Sequence, residues 1–404
     1  MDFDATFTYE SGPLQYEEFP RTDEPLHILG ERYSTLYDLD DLKLDILSRL
    51  WFTYRKNFPP IGGSGPSSDQ GWGCMLRCGQ MMLAQSLLLR HLNREWRWDK
   101  HSNSSSYWKV LRMFQDKKSS VYSIHQIASM GESEGKAVGQ WFGPNTVAQV
   151  LKKMAVYDDW SSMVIHVAMD NTVIEEDIRQ LCKCHQENGV DPCIDMNNPE
   201  CNVFPRSDSN DGVKDCVKSD KPKSIDPSVW KPLLLIIPLR LGLTDINPVY
   251  FDSLKACLSV KQSVGIIGGK PNHAHWFIGH LGEELVYLDP HTTQLTVDLN
   301  ETPDDDTFHC PYPGRMKIHQ LDPSVAVGFF CGREQDFNDL CLTFRKLIIK
   351  SSKTPMFELH HYRPHDWPSL EVQRERNVSV NSEFADLGAV GGTNYDSEEE
   401  FELL

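Results

Sequence analysis

Positive charge is in short supply in this chain. Lysine and arginine number 40 against 58 aspartates and glutamates, a formal net charge of -18. A surface of that sign repels phosphate, which argues against nucleic acid as a partner and favours a partner with a basic face. Long apolar runs are missing too: Leu233 to Ile237 falls far below the roughly 20 residues that span a bilayer. Met1 to Glu10 is acidic and lacks the basic and apolar regions of a secretory signal. Even pairing of cysteines is also absent. The 11 thiols are odd in number and scattered, the pattern of reduced cysteines rather than a disulfide framework. Together these absences point to a soluble cytoplasmic protein.

What is present is ample material for a core. The chain has 404 residues, 40% of them hydrophobic, enough for two or three domains or for one large domain with tails. Residues 1–26 read as an acidic tail and 27–360 as the folded part. Within it, 186–228 is rich in Asp, Asn, Pro, Ser and Lys and reads as a flexible insertion. Residues 361–404 read as an acidic tail.

Cys74 to Leu92 is the strongest helical signal. Shorter helices are expected at 107–115 and 146–155, the latter with capping-box spacing from Thr146. A further helix is expected from a capping box at Thr172 to about Cys184. Strands are expected at 163–169, 233–239, 263–267, 274–280, 284–289 and 325–330, with a hairpin at Leu281-Gly282-Glu283. Helices dominate the first half and strands the second, which suits an α+β fold with a helix packed on a sheet.

Cys74 falls where a glycine-rich turn meets the long helix. The positive end of a helix dipole favours a thiolate, and the unpaired amides there can stabilise an oxyanion. Gly71 and Gly73 would let a substrate approach the backbone. A thiol nucleophile needs a base and a group to orient it. An apolar strand ends at Asp289, and His291 follows two residues later. Residues two apart on extended chain share a side, so Asp289 can hold the His291 ring, although an isolated Asp-Pro-His is equally a strand-end turn. His275 is the rival base, with His273 and His280 beside it. His125 and His166 have no adjacent acid and read as structural. Cys182, Cys184, His185, Cys193 and Cys201 are a competing zinc-ligand set, but the C-x-C-H spacing is not a strong finger pattern. The working expectation is therefore no metal and no cofactor.

Several long runs carry a family resemblance: Arg49 to Arg55, Gly71 to Gln80, Gly139 to Thr146, Ile236 to Leu243, Leu288 to Gln294 and Val327 to Cys331. They resemble the autophagins, autophagy-related cysteine peptidases with a papain-like fold, and look closest to the vertebrate A and B paralogues. The likeness covers about residues 27–360. It implies a Cys-His-Asp triad at Cys74, His291 and Asp289, with Tyr54 at the oxyanion position and a gate made by Trp141 and Pro271. The implied partners are ubiquitin-like autophagy modifiers of the GABARAP type, as precursors and as lipid conjugates on autophagic membranes. The implied activity is an endopeptidase that cuts after a modifier glycine and releases the modifier from phosphatidylethanolamine. Phe401 and Leu404 match the form of the family's docking motif. The alternative is a catalytically weak modifier-binding protein that uses its groove and tail.

Overall fold

The computed structural model describes residues 6–7, 18–102, 104–185, 228–270, 273–300, 304–350, 353–365 and 367. A nine-stranded sheet organises them. From one edge it runs Gly314–Lys317, Glu284–Leu288, His273–Leu281, Ser263–Lys270, Ser324–Cys331, Leu233–Arg240 and Val164–Val167. Pro25–Ile28 pairs with the far end of His273–Leu281, and Glu31–Ser34 pairs with it in turn. Val164–Val167 is parallel to its neighbour, and the other pairings in this sheet are antiparallel.

Both faces of the sheet are covered, and the period-2 alternation of its strands divides the core. Along Leu233–Arg240, Leu234 and Ile236 join the core that holds the Cys74 helix. Leu235, Ile237 and Leu239 point the other way, onto a core with the helices Phe251–Ser259 and Glu334–Phe344. Strand Ser324–Cys331 divides in the same way: Ala326 and Phe330 on one side, Val327 and Phe329 on the other. Apolar residues on both sides are what make these strands read as continuous hydrophobic runs.

The helix Cys74–Leu92 forms as the sequence predicts. It is buried on all sides from Cys74 to Leu88, as expected of a central helix rather than an amphipathic one. It lies close to the sheet at Gly328, where an added Cβ would sit 2.7 Å from Met82 Sδ. Most of its buried polar groups are paired, the Gln85 Nε2 being an exception among the described residues. The Gln80 amide donates to the Tyr122 carbonyl at 2.7 Å, Gln85 accepts from Arg49 at 3.1 Å, and Ser86 donates to the Met82 carbonyl at 3.1 Å.

Other expectations shift. The 107–115 helix is Ser105–Arg112, capped by Ser104. The 146–155 helix is Pro144–Met154: proline suits the first turn, and Thr146 is buried inside rather than capping. Thr172 opens no helix. Thr172–Ile174 is a strand paired in parallel with Glu358–His360, and the helix runs Glu175–Cys182. A partner strand from far along the chain outcompetes the local cap. The hairpin expected at 281–283 is present, with Leu281 opposite Glu284. Lys183–His185 pairs with Ser228–Trp230 across the expected insertion, and 186–227 lies outside the described residues. Leu26, at the end of the expected tail, is fully buried in the sheet. No helix among the described residues is long and apolar enough to cross a membrane.

A small second sheet matters most for the site. Thr292–Leu295, directly after His291, pairs in parallel with Tyr54–Lys56, with Thr293 opposite Tyr54. Thr6–Phe7 pairs on its other side. This pairing carries the Arg49–Arg55 run to the end of the Asp289 strand.

Candidate active site

The loop before the helix is tied down by one carboxylate. The backbone carbonyl of Asp69 accepts the N–H groups of Trp72 (3.2 Å) and Gly73 (2.8 Å). Its side chain accepts the Arg55 backbone N–H at 2.7 Å, and Arg77 Nε and Nη2 at 2.7 and 3.0 Å. Arg77 also donates to Asp116 at 2.8 Å. A Cβ at Gly73 would collide with the Asp69 carboxylate. So this glycine makes room for the anchor rather than for substrate. Gly71 adopts a left-handed φ of 87°, a conformation that costs glycine little.

The anchored loop delivers Cys74 as the first residue of the helix, fully buried. The first amides of a helix have no intrahelical acceptor, so the sulfur sits at the positive end of the dipole. Trp141 Nε1 donates to Cys74 Sγ at 3.2 Å. Burial would raise the Cys74 thiol pKa. The hydrogen bond and charge of His291, the Ala274 backbone N–H and the Tyr54 hydroxyl outweigh it, and the net direction is down.

His291 reaches the sulfur from the opposite side of the cleft. Its Nδ1 lies 2.6 Å from Asp289 Oδ1, and its backbone N–H donates to the same oxygen at 2.9 Å. Burial lowers the His291 pKa, but Asp289 and then Cys74 raise it to about 9. Crowding would push Asp289 up, yet the imidazoles of His275 and His291 hold it far below the usual carboxylate range. The turn itself is pinned from the Arg49–Arg55 run. Trp51 Nε1 donates to the Asp289 carbonyl at 2.7 Å, and the Tyr54 N–H donates to the Pro290 carbonyl at 2.9 Å. The buried Tyr54 ring meets the His291 ring edge-on, with centroids 5.5 Å apart.

The structure therefore brings together Cys74, His291, Asp289, Tyr54 and Trp141. Pro271, Phe401 and Leu404 lie outside the described residues. His275 is close by, with Nε2 3.7 Å from Asp289 Oδ2, while the His273 ring lies tilted against that of His291, centroids 5.2 Å apart. His125 is bonded to the Pro59 carbonyl at 2.6 Å. Cys78, one turn beyond Cys74, is fully buried and its thiol is pushed well up by burial. Of the zinc set, only the Cys182 side chain, which is buried, lies within the described residues. Sequence reasoning missed Asp69, Arg77, Asp116 and Trp51. Asp69 follows a string of turn formers and reads there as turn chemistry, with nothing to reveal a buried anchor.

A depressed thiol at a helix start, beside an imidazole raised by a carboxylate, defines a cysteine peptidase on an α+β frame. Comparison with known proteins specifies which kind. Residues 39–343 match the peptidase C54 catalytic domain. The chain is 51% identical over 407 residues to cysteine protease ATG4B of Gallus gallus, covering 99% of both chains. It is 50% identical to cysteine protease ATG4A of Xenopus laevis (98% and 97% covered) and 48% to ATG4A of Homo sapiens (96% and 95%). The chain belongs to the peptidase C54 family, the autophagins of the vertebrate A/B type, and is a papain-like thiol hydrolase.

Proposed function

We propose that this chain is an autophagy endopeptidase that cuts after a C-terminal glycine of ubiquitin-like modifiers of the GABARAP type, maturing the precursor and later releasing the modifier from phosphatidylethanolamine. The observation that carries the reading is the convergence of Cys74 Sγ, the His291–Asp289 pair and the Trp141 indole on one cleft.

The chemistry follows from the charges. The Cys74 thiolate adds to the glycyl carbonyl, forming an S–C bond. The oxyanion is met by amides at the helix start and by the Tyr54 hydroxyl. Collapse breaks the C–N bond, and the His291 imidazolium gives its proton to the departing amine. That amine is the downstream peptide in the precursor and the lipid headgroup in the conjugate. Water, deprotonated by His291, then hydrolyses the thioester, releasing the glycyl carboxylate and restoring the ion pair. Asp289 holds the ring in one tautomer throughout.

An indole resting 3.2 Å from the sulfur leaves a slot that suits glycine and excludes larger side chains. Pro271 would complete that cover, and Phe401 and Leu404 would dock on the modifier by strand addition. The cytoplasm, where precursor and conjugate are both accessible, is the compartment this role requires. The test is cleavage of a panel of modifier precursors and of vesicle-bound conjugates by the full chain, with Cys74→Ala as control. Loss of both cleavages with binding retained is expected. Cleavage by Cys74→Ala would overturn the mechanism, and binding without cleavage by the native chain would overturn the function.

A further inference from the structure

Asp289 faces two imidazoles, and the mechanism above uses only one. Its Oδ1 carries both contacts to His291, and its Oδ2 faces His275 Nε2 at 3.7 Å. His275 lies on the central strand His273–Leu281, 6% exposed, its ring 4.2 Å from that of Tyr287 and edge-on to Phe277. His275 Nδ1 has no hydrogen-bond partner among the described residues. A neutral imidazole places its proton where an acceptor is, so the N–H belongs on Nε2, towards the carboxylate.

We propose that His275 is a positioning residue of the catalytic centre: its Nε2–H restrains the outer oxygen of Asp289 and so fixes the carboxylate plane that orients the His291 ring. The proposal rests on the reading of Cys74, His291 and Asp289 as the catalytic set. A carboxylate bonded through one oxygen can pivot about its Cβ–Cγ bond, and a donor on the other oxygen stops it. At 3.7 Å the contact is a charge–dipole attraction rather than a full hydrogen bond, and its inner side is shielded from water.

The surrounding groups keep His275 uncharged. Burial is the largest influence and lowers its pKa; Asp289 raises it, His291 and His273 add to the lowering, and the net direction is down. The other groups near Asp289 are Tyr287, Cys78 and Cys310, all pushed up and neutral. One imidazole of the pair therefore carries the charge and the other holds the counter-ion. Without His275 the Asp289 carboxylate can turn from the His291 ring, so the imidazolium loses support, its pKa falls from about 9, and the alkaline side of the activity profile moves down.

The test uses the full chain with His275→Phe and His275→Gln, the second keeping an N–H donor. Precursor cleavage and alkylation of Cys74 by iodoacetamide are followed from about pH 5 to 9, with circular dichroism to count folded protein. For His275→Phe, kcat falls roughly tenfold with KM nearly unchanged, and the alkaline limb falls by about one unit. His275→Gln restores most of both. Histidine-labelled ¹⁵N spectra of the native chain show His275 as the neutral Nε2–H tautomer throughout. An unmoved alkaline limb in His275→Phe, or a native His275 that titrates near its ordinary value, overturns the proposal. If His275→Phe does not fold, the glutamine variant and the native spectra still decide. Cleavage by His291→Ala would instead sink the reading beneath it.

Discussion

Two carboxylates flank the cleft, Asp69 before the Cys74 helix and Asp289 at the end of its strand, and they are partnered in opposite ways. Asp69 is fully buried and locked onto the guanidinium of Arg77 through both oxygens. Arg77 stays charged at any working pH; burial would lower its pKa, but Asp116 and Asp69 raise it. Asp289 is 35% exposed on its side chain and faces imidazoles, the one side chain whose ordinary pKa lies near neutrality. A carboxylate against a permanent cation makes a fixed joint. A carboxylate against an imidazole makes a joint whose charge can change during a reaction. The first suits placing the sulfur, and the second suits the proton transfer proposed above.

The largest effects should separate the two corners. Asp289→Asn keeps the size of the side chain but offers His291 the wrong partner. Its kcat should drop by roughly 10³ to 10⁴, with a melting temperature within a few degrees of the native one. Arg77→Met should do the reverse. It strands two buried carboxylates and should cost about 3–5 kcal/mol of stability in denaturant melts, with activity per folded molecule far less reduced than in Asp289→Asn. If Asp289→Asn mainly unfolds the protein, or Arg77→Met mainly abolishes turnover in a fully stable protein, the division of labour is wrong.

The pH dependence of stability sharpens the contrast. His291 has a folded pKa of about 9 against an ordinary 6.5, so the folded state binds the proton more tightly. Its contribution is fully present below about pH 6.5 and is lost as pH rises through about 9. Arg77, whose pKa is raised by Asp116 and Asp69, does not titrate in that interval and adds no slope. In the native chain Cys74, whose folded thiol pKa is lowered, gives up the proton that His291 holds and so offsets this slope. Denaturant midpoints should therefore stay nearly level between about pH 6.5 and 9 in the native chain and decline in Cys74→Ala, where Asp289 supports the imidazolium without a thiolate partner. A decline of equal size in the Cys74→Ala, His291→Ala double variant would assign the slope elsewhere.

The same contrast explains what the sequence discloses. Cys74 and His291 are legible because each sits at an element boundary that periodicity marks, and Asp289 because it lies two residues from its base. The strands from 233 to 331 are legible because burial on both faces makes them apolar throughout. The helices Leu39–Leu47 and Ile124–Met130 are nine and seven residues long, too short for a clear helical pattern in the sequence. Tyr54 reaches the site by a parallel strand pairing across more than 200 residues, which no local spacing encodes; only the family resemblance points to it. Asp69 and Arg77 stayed hidden because a buried ion pair and a surface turn use the same letters.

Trp141 offers the smallest effect and the finest cut, because its indole does two things at once. It donates an N–H to Cys74 Sγ at 3.2 Å, and in the proposed function it also covers the cleft. Trp141→Phe removes the donor and keeps most of the cover. A hydrogen bond to a charged group is worth about 1.5–3 kcal/mol, but His291, Ala274 and Tyr54 also support the thiolate, so only part of that should be lost. Alkylation of Cys74 by a small reagent should slow about three- to tenfold near pH 6, where the lost donor leaves less thiolate. Near pH 9 it should match the native rate. A slowing of equal size at both values would mean that the ring acts only through access. No slowing at either would leave the indole N–H without a part in holding the sulfur's charge, and the His291 side of the cleft would then set the thiolate alone.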